Sequence, residues 1–336
     1  MKKIFPVTLC FVALSVLFPV FASAQRKTVI KLVSQVPQDT PWGKLLDEMA
    51  AEWARITNNE VILDVRHNVK AGEADILRQL NSRQIHAAML STFGLKLITP
   101  QVMTLSCPFL IRNNEELDLV LNTLKPELEE RFEDKGYFTL AWSKVGWVRF
   151  FSKSPVFVPA DLKRQRLGTS ETEPELMDAF KAMGYHMVPV AMNQILVQLS
   201  GGQIDAVYQS PVNAGGLQIF GLAKNMASIP VAPFMGAIMM DRRVWRRMIP
   251  DKYKNEILRA TRRMEEELDR SIQTLETQIV QTMIDYGLVV NQVSPEQEQL
   301  WFADINRVMP SLVGSVFDRK MYERIDALLK PRREAR

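Results

Sequence analysis

Cysteine is nearly absent from this chain of 336 residues: there are two, Cys10 and Cys107. Cys10 lies in an apolar run at the very start, so the remainder holds one thiol and an intramolecular disulfide is excluded there. A chain of about 300 residues buries enough apolar surface to do without one. Histidine is as scarce. His67, His86 and His186 stand far apart, and neither Cys-x-x-Cys nor His-x-x-x-His spacing occurs; the usual structural and catalytic zinc patterns are therefore missing. No Gly-x-Ser-x-Gly elbow and no phosphate loop is present, and Gly201-Gly202 and Gly215-Gly216 read as turns. Charge of one sign is not in excess. Formal net charge is +4, and removing Lys2 and Lys3 with the leader lowers it to +2. A balance of that kind argues against a nucleic-acid partner. A hydrolase remains the weaker reading, because no nucleophile and base stand in a recognisable pattern.

The first residues carry a leader. Lys2 and Lys3 precede an apolar run from Ile4 to Phe21, and Ala22-Ser23-Ala24 closes it. A basic start, an apolar middle and a small-x-small end make a secretory signal peptide, with the cut expected after Ala24. An uncleaved anchor is the alternative, but Pro6 and Pro19 interrupt the run. Cys10 sits well before the small residues, which makes it a poor site for lipid attachment. The expected location is the periplasm.

What is present is a repeat. Residues 76–87 read ILRQLNSRQIHA and residues 195–206 read ILVQLSGGQIDA, offset by 119. Upstream, a helical pattern from Leu45 to Asn59 leads into Val61–Val65; in the second copy Glu175 to Gly184 leads into His186–Val190. A strand candidate precedes each, Val29–Val33 and the stretch around Arg166-Leu167. Each half thus alternates strand and helix, which predicts two α/β lobes with mostly parallel sheets flanked by helices. Phe138–Trp142 and Val231–Met240 are apolar runs where the chain can cross between lobes. Lys252 to Tyr286 lacks Gly and Pro and carries one apolar stripe, predicting a helix of about 50 Å that spans both lobes. Ser294-Pro295-Glu296-Gln297 has the form of a helix cap. The expected organisation is 1–24 leader, 25–141 plus about 232–270 lobe one, and 142–231 plus about 271–330 lobe two.

Ligands of open α/β sheets bind beyond the carboxyl ends of the strands. In lobe one this selects Ser34, Gln35, Trp42, Ser91, Thr92 and Phe93; in lobe two, Gly168, Thr169, Ser170, Tyr208, Gln209 and Ser210. Trp142, Trp147 and Arg149 lie near the first crossing, and Phe234 and Met235 near the second. Each has a plainer reading. Trp42 can anchor its helix, Phe93 and Trp147 can be core, Phe234 and Met235 can be strand packing, and Arg149 can sit in a structural ion pair. Glu171 and Glu173 complement the positive end of a helix starting near Pro174.

From about Ile30 to Trp301 the chain resembles the periplasmic substrate-binding subunit of tripartite ATP-independent periplasmic (TRAP) transporters. The matching features are Gly72-Glu73 with Leu77-Arg78-Gln79-Leu80, Pro108-Phe109-Leu110, Pro159-Ala160-Asp161-Leu162-Lys163, and Gln203-Ile204-Asp205-Ala206. The resemblance implies two lobes closing on one small-molecule ligand, no cofactor or metal, no enzyme activity, and delivery to integral-membrane subunits driven by an ion gradient. One departure stands out. Where typical members carry a carboxylate-clamping arginine, this chain has Gly168, after Arg164-Gln165-Arg166-Leu167. Gly146-Trp147-Val148 and Asp205-Ala206-Val207-Tyr208 are similar to a branch that lacks the clamp and can work with a soluble tetratricopeptide-repeat partner. For that branch an apolar or amphipathic ligand is expected. The alternatives are an organic acid held by Arg149 or Arg166, and a carrier acting mainly through a protein partner.

Overall fold

The computed structural model describes residues 27–170, 174–191 and 194–334; the leader, Glu171 and Glu173 lie outside the described residues. In the first half, β1 (Thr28–Val33), α1 (Pro41–Ile56), β2 (Val61–Arg66), α2 (Glu73–Asn81), β3 (Ala87–Ser91) and α3 (Thr92–Ile98) are followed by α4 (Asn114–Asp134) and β4 (Tyr137–Ser152). Next come α5 (Pro159–Lys163), β5 (Arg166–Ser170), α6 (Pro174–Ala182), β6 (His186–Val190), α7 (Ile195–Ser200), β7 (Ala206–Gln209) and α8 (Pro211–Gly216). The chain closes with β8 (Asn225–Ala227), β9 (Ala232–Asp241), α9 (Arg242–Arg247), α10 (Asp251–Asp285), β10 (Val289–Asn291), α11 (Pro295–Leu312) and α12 (Arg319–Glu334).

The repeat is visible in the strand order β2-β1-β3-β9-β4-β7-β5-β6. β1 lies between β2 and β3, parallel to both, and β5 lies between β6 and β7 in the same way. The register agrees as well: Leu32 pairs with Ala87 and Leu167 pairs with Ala206, the last residue of each repeated segment. Antiparallel strands β9 and β4 join the two parallel groups, β9 beside β3 and β4 beside β7. The sheet is therefore mixed, with helices on its faces, in a two-lobed architecture.

Local chemistry explains the main elements. Thr40 caps α1 by accepting from Gly43 N, Pro41 occupies its first turn, and Trp42, Leu45, Leu46, Met49, Trp53 and Ile56 form one buried stripe. Ser294 and Gln297 form the capping box of α11. In α10, Ile257, Ala260, Leu268, Ile272 and Met283 are buried. At 1.5 Å per residue its 35 residues reach about 52 Å, and it meets α1, then β4, then α8. β4 is longer than the apolar run at 138–142 suggests. It runs on through Lys144 and Arg149 because carboxylates on α4 and α10 pair with these cations. Among the described residues no helix is long and apolar enough to cross a membrane.

Candidate functional site

A cavity of about 170 Å³ opens where the carboxyl ends of β5, β6 and β7 face the first half. Gly168 and Thr169 of β5, Val190 at the end of β6, Tyr208 and Gln209 at the end of β7, and Ser210 after it form one side. Phe93 at the start of α3 and Phe234 of β9 form the other, their ring centroids 5.9 Å apart and tilted by 44°. Val148 of β4, Ile195 and Asn213 complete it.

The backbone dictates much of this. In β5, Gly168 pairs with Val188 on one side and Val207 on the other. A Cβ at Gly168 would lie 2.8 Å from Ile204 Cδ1 and 3.3 Å from Val190 Cγ2, so glycine lets the floor of the cavity close up. Ser210 is buried and caps α8, accepting from Asn213 N at 3.3 Å. Asn213 Nδ2 reaches Gln209 Oε1 at 3.5 Å. Tyr208 lies against Phe150, ring centroids 5.8 Å apart. Polar groups of the second half thus face aromatic rings of the first. Among the described residues the lining holds no lysine or arginine.

Of the expected ligand residues, Phe93, Gly168, Thr169, Tyr208, Gln209 and Phe234 meet in this cavity. Ser170 ends β5 beside Val190, and its side chain lies outside the described residues. The others are placed elsewhere, each for a physical reason. Gln35 is exposed and donates to Ala71 O at 2.7 Å. Trp42 is buried in the first-half core and donates to Ser143 Oγ at 3.1 Å, anchoring α1. Ser91 caps α3 and gives its N–H and its hydroxyl to Glu73, at 2.6 and 2.7 Å. Met235 is fully buried, with its backbone held by Thr92 Oγ1.

Trp147 and Arg149 are turned away from the cavity by strand alternation: Val148 between them faces it, so they face α4 and α10. Trp147 donates to Asn114 Oδ1 at 2.8 Å. Arg149 donates to Ser228 O and lies 3.6 Å from Glu276 Oε1. Burial pulls its guanidinium below the usual arginine range, and Glu276 opposes that pull. Arg166 is exposed at the opposite end of β5, forked onto Asp205 at 2.7 and 2.9 Å. Arg164 pairs with Asp161 at 2.6 Å. Neither expected replacement clamp reaches the cavity.

Four lining residues were not anticipated. Val190 obeys the strand-exit rule that selects Tyr208 and could have been found by it. Ile195 opens the repeated segment. Asn213 follows the cap Ser210 by three residues, and Val148 required the strand register.

The pattern of the family described as bacterial extracellular solute-binding protein, family 7, matches residues 32–314. The chain belongs to that family. This solute-binding protein is also 27% identical over 187 residues to a solute-binding protein of Verminephrobacter eiseniae, a match covering 55% of this chain and 56% of that one. It is 26% identical over 194 residues to a solute-binding protein of Chromohalobacter salexigens, covering 54% and 56%. Its matches therefore span little more than half the length of these curated relatives.

Solved structures agree over nearly the whole fold. A TRAP periplasmic solute binding protein of Sulfurospirillum deleyianum with bound succinate superposes with a TM-score of 0.78 at 20% identity, covering 90% of this chain and 99% of that one. One from Chromohalobacter salexigens with bound D-glucuronate gives 0.80 at 18%, covering 89% and 99%. One from Ochrobactrum anthropi, with the C-terminus bound in the ligand-binding pocket, gives 0.83 at 17%, covering 93% and 98%. At these identities the likeness establishes the fold.

Proposed function

We propose that this protein is the periplasmic solute receptor of an ion-driven TRAP transporter, taking a small ligand between its lobes and delivering it to the membrane subunits. Family membership and the superposed folds support the receptor role. The leader sequence supports secretion. The lobes divide where β4 and β9 cross, near residues 141 and 232, and ligand binding shifts the population toward a closed form.

For the ligand we propose an apolar or amphipathic molecule. The observation that carries this reading is the lining itself: Phe93, Phe234, Val148, Val190 and Ile195 with uncharged polar groups, while Arg149 lies on the other side of β4 and Arg166 is paired with Asp205 at the far end of β5. A molecule with an apolar body against the rings and a neutral polar group toward Thr169, Ser210 and Asn213 suits such a cavity.

A second reading has its own support. The solved relatives hold succinate, galacturonate and glucuronate, and these bound molecules speak for an organic acid rather than for an apolar ligand. Here the carboxylate would be held by hydroxyl and amide donors in place of a guanidinium. Mass spectrometry of the purified protein, native and then after denaturing extraction, separates the two. A co-purified lipid or other apolar molecule supports the first reading. A small carboxylate refutes it and establishes the second.

A further inference from the structure

We propose a second binding site, for a monocarboxylate with a short apolar chain, in the groove behind the crossing strand β4. This groove has a volume of about 650 Å³ and is lined by residues of both halves and of α10. It lies across β4 from the cavity described above, because Trp147 and Arg149 alternate with Val148.

The case rests on how the cations of this groove are satisfied. Lys144 is fully engaged, 2.7 Å from both Asp118 and Asp269. Arg149 is not. Its side chain is only 19% exposed, Nη1 donates to Ser228 O, its one carboxylate neighbour is Glu276 at 3.6 Å, and its Nε is buried with no partner among the described residues. A buried guanidinium ordinarily fills its fork with short bonds to carboxylate oxygens. Arg112, from the other half, lines the same groove. Its guanidinium stacks over Phe302 at 3.7 Å and donates through Nε to Phe109 O, while its backbone N–H donates to Glu116 Oε2 at 2.8 Å. Two guanidinium groups with spare donors thus border one groove, whose remaining walls include Trp147, Ile272 and Val280 together with Asp269 and Glu276, the carboxylates beside Lys144 and Arg149. Spare charged donors beside an apolar wall are the chemistry that holds a carboxylate head and a short hydrocarbon tail.

The experiment is isothermal titration of hexanoate into the full-length mature protein, with hexanol as the uncharged control. Because the front cavity suits an uncharged amphiphile, the two ligands are compared in Asn213→Trp, where hexanoate is expected to bind at one site and hexanol not measurably. Arg149→Met and Thr277→Trp, the latter filling the groove from the exposed face of α10, are each expected to weaken hexanoate at least tenfold. Asn213→Trp, which obstructs the front cavity, is expected to leave it unchanged. Thr277→Trp keeps the test valid if Arg149→Met does not fold. Absence of hexanoate binding overturns the proposal. So does equal binding of hexanol in Asn213→Trp, or loss of hexanoate binding in Asn213→Trp with retention in Thr277→Trp, which assigns the acid to the front cavity.

Discussion

Ser91 and Ser210 stand 119 residues apart, at the same step of the two copies. Each stands at the exit of the third strand of its half and caps the helix that comes next, through Phe93 N in one and Asn213 N in the other. Their surroundings differ. In the first half the Glu73 carboxylate reaches back and takes both the N–H and the hydroxyl of Ser91. In the second half Ser210 borders the cavity. The duplication thus supplies two equivalent strand exits, the serine of one tied to an acid and the serine of the other bordering the cavity.

That difference predicts two outcomes for one substitution. Replacing either serine by alanine removes a helix cap and costs about 1 kcal/mol, read as a lower denaturation midpoint. Ser210→Ala is expected also to weaken, several-fold in calorimetry, binding of whichever ligand mass spectrometry identifies. Ser91→Ala is expected to leave affinity unaltered, and an equal loss there would remove the distinction between the two exits.

Gly168 makes a sharper prediction. The crowding of an added Cβ comes from Ile204 Cδ1 at 2.8 Å, an atom that valine lacks. Gly168→Ala is expected to destabilise by roughly 1–2 kcal/mol as Ile204 is displaced. Ile204→Val costs roughly 0.5–1.5 kcal/mol alone. The double variant is expected to be more stable than the sum by about 0.5–1 kcal/mol, the coupling of two residues in contact. Denaturant titration of the four proteins completes the cycle, and strict additivity would contradict the contact.

The architecture was legible because it is written twice. The repeat ending at Ala87 and Ala206 foretold the shared strand order, and the stripe from Ile257 to Met283 foretold the long helix. The cavity was half legible. Strand exits located Gly168, Thr169, Tyr208 and Gln209, but the facing of a side chain depends on register. A bulge between Lys144 and Gly146 shifts the alternation of β4, so that Lys144, Trp147 and Arg149 share the α10 side. Gly146, a lone glycine within the strand at φ +123°, was the one mark of that bulge. The fate of Ser91 depended on Glu73, eighteen residues earlier, and the burial of Met235 on Thr92, 143 residues away. Such long-range partners are not readable from local pattern.

Arg166 separates the two ways of holding an organic acid. Its fork is spent on Asp205, whose carboxyl it holds below the usual carboxylate range. The pair sits where β5 begins, at the opposite end from the cavity. Arg166→Gln is therefore expected to leave ligand affinity unchanged and to alter stability only slightly, as exposed ion pairs do. A tenfold loss of affinity for a small carboxylate would restore Arg166 as a clamp.

His86 predicts the acid sensitivity of the first half. Its Nδ1 accepts from Lys31 N at 3.0 Å, joining the start of β3 to β1. Burial lowers its pKa below the ordinary 6.5, the Lys31 charge lowers it further, and Asp241 partly opposes both. In the unfolded chain the ring regains its ordinary pKa, so below about pH 6.5 the unfolded state binds the extra proton first. The contribution of a neutral His86 is thus complete above 6.5 and is lost as pH falls through the depressed folded value. Protonation also removes the lone pair that Lys31 N needs. His86→Asn keeps an acceptor oxygen near that position and cannot titrate. Denaturation midpoints measured from about pH 8 down to about pH 5 should fall more steeply for wild type than for His86→Asn. Parallel slopes would show that the proton is taken up elsewhere.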